Sequence, residues 1–567
     1  MKNLSSFCLS GLITLLGLLG APTPLQAQTW QWLATSTGSA TSTGSSNATA
    51  TAVDGAGNTV VAGTFSGTVT FGATTLVSTG GNDIFVGRVS ASGAWTQAVR
   101  AGGPGAEQAN GLAIGTSGDV VVTGSFTGAT VSFDATTLTN STSGGTPADA
   151  DIFVARLSPV GIWTQAISVG GATADAVVGV ALDAAGTATV AGFFSSPTIV
   201  FGTTTLTKSG TGANLNDTFV ARLSPAGIWT QAVRAGGLGN DVARAMTQDV
   251  AGTVYLAGFF SGVTSTFGTL NAANSDATGA GTDAFVAKLS SAGTWTQAVA
   301  GGAAASFDQP NAVAVDASGN VVIAGVYQGT PTFGANSLPA AGTAVGGFVA
   351  RLNAAGAWTQ AVAAGVTATS CFVNGVAVDA SGNATVAGQV NGAAPQFGTI
   401  TIGSTGTSAD LFVARLNTAG TWTYALRAGT SGVDRADAVF LSGTTATVTG
   451  QLNTPATLFG FNSLPITATT TTGYVARLAG LVSGTLPARA TAALALLPNP
   501  TRGALTLHGL TPGHDEQALL VTDGLGREVR RLMLPAHTTT AQLDLAGLAP
   551  GLYIVRCGAA TGRLVVE

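Results

Sequence analysis

A phrase built on "WTQAV" recurs along this chain, and its spacing constrains the fold more than any other feature. Copies that begin with Trp-x-x-Ala or Trp-Thr-Gln-Ala, with the looser "WQWLA" at the first, start at Trp30, Trp95, Trp163, Trp229, Trp295, Trp358 and Trp422, 63 to 68 residues apart, and the last runs out near Leu481. A fixed period of this size signals a repeat architecture and is read before any local structure. Each unit holds four strand-like pieces. In the fifth they are "WTQAVA" from Trp295, "NAVAVDASG" from Asn311, "NVVIAGVYQG" from Asn320 and "GFVARL" from Gly347. These are short and rich in β-branched and aromatic residues, with Gly, Asn, Asp and Ser between them, which are strand and turn signals. No helix-period segment interrupts them. Seven units of four short strands predict an all-β, seven-bladed β-propeller of four-stranded blades. A β-solenoid is the rival, but its coils are usually shorter and lack two tight hairpins per repeat.

With the strands named a to d from the axis outward, "VAVD" is a, "NVVIAG" is b, "FVARL" is c and "WTQAV" is d. The repeats then open on a lone d strand at Trp30 and finish on a c strand, "GYVARL" from Gly473. The first strand is therefore expected to complete the last blade, with Trp30–Ala34 paired to Tyr474–Leu478, so that closure removes the open edges.

Composition narrows the class. Only 8% of residues are charged, and the net charge is −5 without a basic patch, so nucleic acid is not an expected partner. "MKNLSSFCLSGLITLLGLLGAPTPLQA" has a positive start, a short apolar run and a small-residue cleavage site ending at Ala27, as in a secretory signal peptide, and is too short to span a membrane. No other apolar run reaches transmembrane length. Beyond this leader only Cys371 and Cys557 remain, in different expected domains, so a disulfide is not expected between them.

The "D-x-F-V-A-R-L…G…W" and "G-V-A-V-D-x-x-G-N" cores resemble SBBP-type β-propeller repeats of secreted bacterial proteins, from about Trp30 to Leu481. That family implies a fold and no particular activity. After Leu481 the period stops, and all three histidines, His508, His514 and His537, lie beyond it. Three ordered blocks follow: "LPNPTRGALTL" with Pro498, Asn499, Pro500 and Gly503; "VTDGLGREVRRL" with Asp523, Gly524 and Gly526; and "LDLAGLAPGLYIVRCG" with Leu545, Gly551, Tyr553 and Val555. They resemble the type A C-terminal sorting domain of the type IX secretion system of Bacteroidetes. The resemblance implies a small β-sandwich read by the outer-membrane export machinery, with the product released or anchored at the cell surface. An ordinary C-terminal β-domain is the alternative. The expected organisation is a signal peptide at 1–27, a propeller at 28–481, a linker at 482–496 and the sorting domain at 497–567.

The repeats hold no His, a single Cys (Cys371) and a single Glu (Glu107), which excludes His-based triads, Cys–His pairs and His-ligated zinc within them. Nucleotide and calcium-loop motifs are absent. Asp54, Asp183, Asp249, Asp316 and Asp379 recur in the a–b turn, with Gly115 and Ser442 in the other two units, and read as turn caps. Arg88, Arg156, Arg222, Lys288, Arg351, Arg415 and Arg477 recur on strand c, and an Asp lies five positions earlier in five units. Alternation sets these two on opposite faces, so the stems of the basic residues are expected between blades with their heads on backbone or solvent. The Phe of "TFG" and the blade Trp read as packing.

One set points to binding. Glu107, Asp175, Asp241, Asp308 and Asp434 lie between strand d and the next strand a, with Asn47 and Cys371 in the corresponding stretches of units one and six. The d–a and b–c connections share one face of a propeller and are the long, variable ones, where binding concentrates. These acids are candidates to ring the opening there and hold a hydroxyl-rich glycan or a hard cation such as calcium. The alternative is that each caps backbone amides. No other cofactor is expected. The expected function is an exported, monomeric binding scaffold for a glycan or protein, without catalysis in the repeats. A polysaccharide-acting enzyme with an Asp-based centre, or a structural surface-layer component, are the alternatives.

Overall fold

A computed structural model describes residues 29–38, 44–142, 149–212, 215–341, 344–403, 408–429, 432–453, 456–459, 462–465, 471–481, 495–497, 499, 501, 503–508, 517–523, 528–557 and 560–566. The chain falls into two units, Met1–Gly484 and Thr485–Glu567. All regular structure in the described residues is β, apart from isolated turns.

The first unit is a seven-bladed propeller. Each blade is a four-stranded antiparallel sheet in the order a-b-c-d. Blade 5 shows the pattern, with a at Gln309–Val315, b at Val321–Tyr327, c at Gly346–Leu352 and d at Trp358–Ala364. Strand b, "VVIAGVY", is buried along its whole length because both of its faces meet neighbouring blades. The a–b turns fold as their sequence demands. Asp316 Oδ1 accepts the backbone N–H of Ser318 (2.8 Å) and Asn320 (3.0 Å), and Gly319 takes the left-handed conformation (φ 78°) that the turn requires.

The ring closes as expected. Thr29–Thr35 is the d strand of the last blade, antiparallel to Thr472–Ala479, with Trp30 opposite Leu478 and Ala34 opposite Val475. The chain ends of the propeller are thereby fastened by a sheet ladder.

The b–c connection is more ordered than four strands per unit allow. In every unit it folds into a second small hairpin, such as Thr68–Phe71 with Thr74–Val77 in blade 1 and Thr264–Phe267 with Leu270–Ala273 in blade 4. The repeated "TFG" is the end of its first strand plus a turn glycine with positive φ, 60° at Gly72 and Gly268. The Phe packs on the blade Trp edge to face, with ring centroids 5.1 Å apart for Phe71–Trp95 and 5.0 Å for Phe333–Trp358. The same Trp reaches the preceding blade: the indole N–H of Trp95, Trp163, Trp295, Trp358 and Trp422 donates to the carbonyls of Thr35, Arg100, Arg234, Ala300 and Ala363 at 2.9–3.3 Å.

Strand c's basic residues also bridge blades. Arg88, Arg156, Arg222 and Arg351 donate to the a–b turn carbonyls of Gly118, Gly186, Gly252 and Gly382 in the next blade at 2.7–2.8 Å. Arg415 instead pairs with Asp379 of its own blade. Every innermost strand carries a β-bulge, at Thr49, Asn110, Val178, Arg244, Asn311, Asn374 and Asp437. Across the bulge the backbones approach so closely that a Cβ on Gly124 would lie 1.8 Å from the Gln108 carbonyl oxygen.

The second unit is a β-sandwich. One sheet pairs Ala495–Leu497, Leu505–His508 and Thr540–Leu543, and the other orders Glu528–Leu534, Gln517–Thr522, Gly551–Cys557 and Ala560–Val566. Leu507, Leu519, Val521, Val555 and Leu564 form its core. Cys371 and Cys557 are both buried free thiols.

Candidate functional site

Each of the five acids marked in the sequence stands at the entrance to strand a of its blade, and each is at most 1% exposed. Glu107 Oε2 accepts the N–H of Gly103 (2.9 Å), and Asp241 Oδ2 that of Gly237 (2.8 Å). Asp308 Oδ2 accepts the N–H of Ala303 (2.9 Å) and the Ser306 hydroxyl (2.6 Å). Asp175 accepts the N–H of Ser195 and Ser196 and the Ser196 hydroxyl at 2.9–3.3 Å, and Asp434 accepts the N–H of Asn453 (2.9 Å). These are the contacts of capping groups. The carboxylates do not form a solvent-facing ring around the opening.

The acids do not stand alone. The first residue of strand c in the preceding blade is also a buried Asp, which gives the pairs Asp83/Glu107, Asp151/Asp175, Asp217/Asp241, Asp283/Asp308 and Asp410/Asp434. The two carboxyl groups converge on the d–a linker. A Cβ on Gly302 would lie 2.2 Å from Asp283 Oδ1 and 3.0 Å from Asp308 Oδ2, and one on Gly429 would lie 2.1 Å from Asp410 Oδ1 and 2.9 Å from Asp434 Oδ2. The strand c member pins the b–c loop: Asp151 accepts the N–H and hydroxyl of Ser141 (2.7 and 2.9 Å), and Asp283 those of Ser275 (2.7 and 2.8 Å).

Burial pushes Glu107, Asp175 and Asp308 up to about 7 and Asp241 up to about 6. The amide and hydroxyl bonds pull the other way, and the second carboxylate of each pair adds to the rise. Burial also raises Asp83, Asp151 and Asp283, and carries Asp410 to about 6. In three pairs an arginine from strand d joins the strand c acid: Arg100 with Asp83 (2.9 Å), Arg234 with Asp217 and Arg427 with Asp410.

The remaining two junctions have no acid at either position. Strand c begins with Gly346 and Thr472 there, and the next strand a carries Cys371 and Ser46. The register makes Ser46, not Asn47, the counterpart of the acids in the first unit, and its hydroxyl accepts the N–H of Gly473 (2.8 Å). The Cys371 thiol, fully enclosed, is pushed by burial up to about 12. The pairing of acids between blades and the three arginines were missed in the sequence. The signal was present: the units without Asp on strand c are followed by those without an acid on strand a, and each arginine sits five residues after its Trp.

A cleft on the long-loop face lies between blades 3 and 4. It measures about 640 Å³ and is lined by Ser209, Arg234, Leu238, Val263, Thr264 and Thr278 among others. Leu238 is 81% and Val263 57% exposed, so two apolar side chains stand beside hydroxyls and a guanidinium.

In the second unit, the Asn499 side chain holds the last strand, donating to the Arg563 carbonyl (2.6 Å) and accepting the N–H of Val565 (2.8 Å). Tyr553 is buried, and its hydroxyl donates to the Ala549 carbonyl (2.7 Å). Gly551 opens the strand that carries Tyr553, and Gly503 donates to the Thr501 hydroxyl (3.3 Å). Asp523 directly follows Gln517–Thr522. Pro498, Pro500, Gly524 and Gly526 lie outside the described residues. Residues 495–567 match the family of secretion system C-terminal sorting domains. The chain carries an export tail. It is a substrate of the type IX secretion machinery, destined for the cell surface or the medium. Among the described residues no helix is long and apolar enough to cross a membrane.

No curated protein matches the sequence. Solved structures similar to the chain include a protein of unknown function from Dyadobacter fermentans (10% identity, 66% of this chain and 95% of that one, TM-score 0.34). The phage phi92 endosialidase (10%, 91% and 76%, TM-score 0.34) and the Trypanosoma rangeli sialidase (8%, 91% and 83%, TM-score 0.32) are others. At these scores the likeness says nothing of activity.

Proposed function

We propose that the protein is an exported binding scaffold that takes a glycan or protein ligand on its long-loop face, in the cleft between blades 3 and 4. The observation that carries this reading is the contrast between that cleft and the acids. The carboxylates that could serve catalysis are enclosed and already engaged with backbone amides, whereas the open cleft offers hydroxyls and the exposed Leu238 and Val263, beside an Arg234 that is itself paired with Asp217. Such a lining suits recognition of a sugar or a peptide better than bond cleavage. Glycosidases place two carboxyl groups on either side of an accessible bond. Here the acid pairs sit where a polysaccharide does not reach, which disfavours the hydrolase reading.

In this reading Glu107, Asp175, Asp241, Asp308 and Asp434 act as supports that hold the loops, not as ligand contacts. The repeats belong with the SBBP type, residues 1–27 are a signal peptide, the stretch between the propeller and the Ala495–Leu497 strand of the sandwich is a linker, shorter than the 482–496 expected because that strand takes up its last two residues, and the chain works as a monomer. The test is a glycan and extracellular-protein array probed with the full chain, with and without calcium, while following polysaccharide breakdown. Selective retention without breakdown supports the scaffold. Release of sugar products, or no ligand under any condition, contradicts it.

A further inference from the structure

The acid pairs follow an all-or-none rule. Five blade junctions carry a carboxyl group on both strand c and the next strand a, two carry none, and no junction carries one. Independent caps would leave mixed junctions, because a single carboxylate can bind amides without a second beside it. The pair is therefore the functional unit, and its members come from different blades.

Two ionised carboxylates in a buried site repel each other, and burial disfavours both charges. The junction between blades 4 and 5 shows the problem most clearly. The position that holds Arg100, Arg234 and Arg427 elsewhere is Ala300 here, so no guanidinium from strand d offsets the pair. The titratable groups facing Asp283 and Asp308 are Asp276, from the b–c segment of blade 4, and Tyr327, at the end of strand b of blade 5. Asp276 is spent on the N–H groups of Thr278, Gly281 and Ala305. Asp308 Oδ1 is buried and makes no hydrogen bond of normal geometry, although the Gln328 N–H lies beside the carboxyl, and Glu107 Oε1 and Asp410 Oδ1 in other junctions are buried without a partner. An anionic oxygen left this way is costly, whereas a hydroxyl there removes the charge.

We propose that the two acidic junctions without a strand d arginine, Asp151/Asp175 and Asp283/Asp308, are carboxyl–carboxylate pairs from two blades that each share one proton, and that this proton keeps the d–a and b–c loops seated on the long-loop face. A bound cation is the competing solution. It fits less well: hard cations such as calcium take about six to eight oxygens, and among the described residues no group of three or more acidic, His or Cys side chains is arranged to hold a metal. The raised values of Asp283 and of Asp308, the latter about 7, agree with a retained proton. The inference concerns the stability of the ring and does not depend on the ligand reading above.

The test is equilibrium denaturation of the full chain from about pH 5 to about pH 8, with calcium or with chelator. Groups raised in the folded state stabilise it fully below their unfolded values and lose that contribution as pH rises through the folded ones. The wild type should therefore weaken as pH passes about 6 to 7, with a slope showing extra protons held by the folded state. Asp308→Asn, which keeps the shape and removes the charge, should lower that proton count by about one and lose least stability at high pH. Asp283→Asn is the second variant should Asp308→Asn not fold. An unchanged slope in a folded variant overturns the proposal. So does calcium stabilisation at about pH 8 that the variant abolishes, since the pair then holds a cation.

Discussion

Trp422 shows what a single repeated side chain does here. It is 5% exposed, packs edge to face on Phe397 at 5.2 Å, and donates its indole N–H to Ala363 of the preceding blade at 3.1 Å. One residue thus joins its own b–c hairpin to a neighbouring sheet. Trp422→Ala should cost about 3–5 kcal/mol, the range for truncating a buried aromatic. Trp422→Phe should cost less, because it loses mainly the hydrogen bond, worth about 0.5–1.5 kcal/mol. Denaturation midpoints of the two variants check the order. At this scale the sequence was readable wherever a role is local. Asp316 and Gly319 announce a turn by their spacing, and the Trp and Phe announce packing by their kind. The partner of Asp308 was harder to see, because Asp283 belongs to another blade and the two meet only once the sheets are laid side by side.

Elements set the ring. The lone opening strand was legible because a d-type phrase precedes the first a strand, and the ladder from Trp30 opposite Leu478 to Ala34 opposite Val475 follows from it. The b–c hairpin was not read, although "TVTFGATTLV" alternates correctly around a turn glycine. Its strands are only two to four residues long, too short for periodicity to distinguish from a loop. Ala34 is 5% exposed and lies in a core cluster with Val475, so a charge there has no partner. Ala34→Asp should unfasten the closure strand, seen as faster amide exchange in Thr472–Ala479 than in the central strands of blade 4. Equal protection in both would show that the seam does not limit local opening.

For the whole molecule, two sets of carboxyls act in opposite senses on stability. Asp54 and Asp379 in the a–b turns are held below the usual carboxylate value: burial alone would raise them, but their bonds to Asn58 and Ala56 or to Asn383 and Ser381, with Arg88 or Arg415 nearby, together outweigh it. That stabilisation is present above about 4 and fades as pH falls through their folded values. The junction acids contribute at low pH and fade as it rises. Stability should therefore peak in mildly acidic solution, which a pH series of melting temperatures would show, and a maximum above about pH 8 would contradict the assignment. Export is separable from folding: removing residues 495–567 should leave a folded propeller in the periplasm, detected by fractionation.

Binding by the long-loop cleft is the central claim, and one comparison tests it most directly. Val263→Trp fills the cleft, whereas Ile228→Trp adds the same bulk to the c–d turn on the opposite face, and both positions are exposed, at 57% and 64%. Binding isotherms for the array-selected ligand should show at least about tenfold weaker affinity for Val263→Trp, roughly 1.4 kcal/mol, with Ile228→Trp matching the wild type. Equal affinity for all three proteins, or loss confined to Ile228→Trp, would place the binding surface elsewhere and contradict the account.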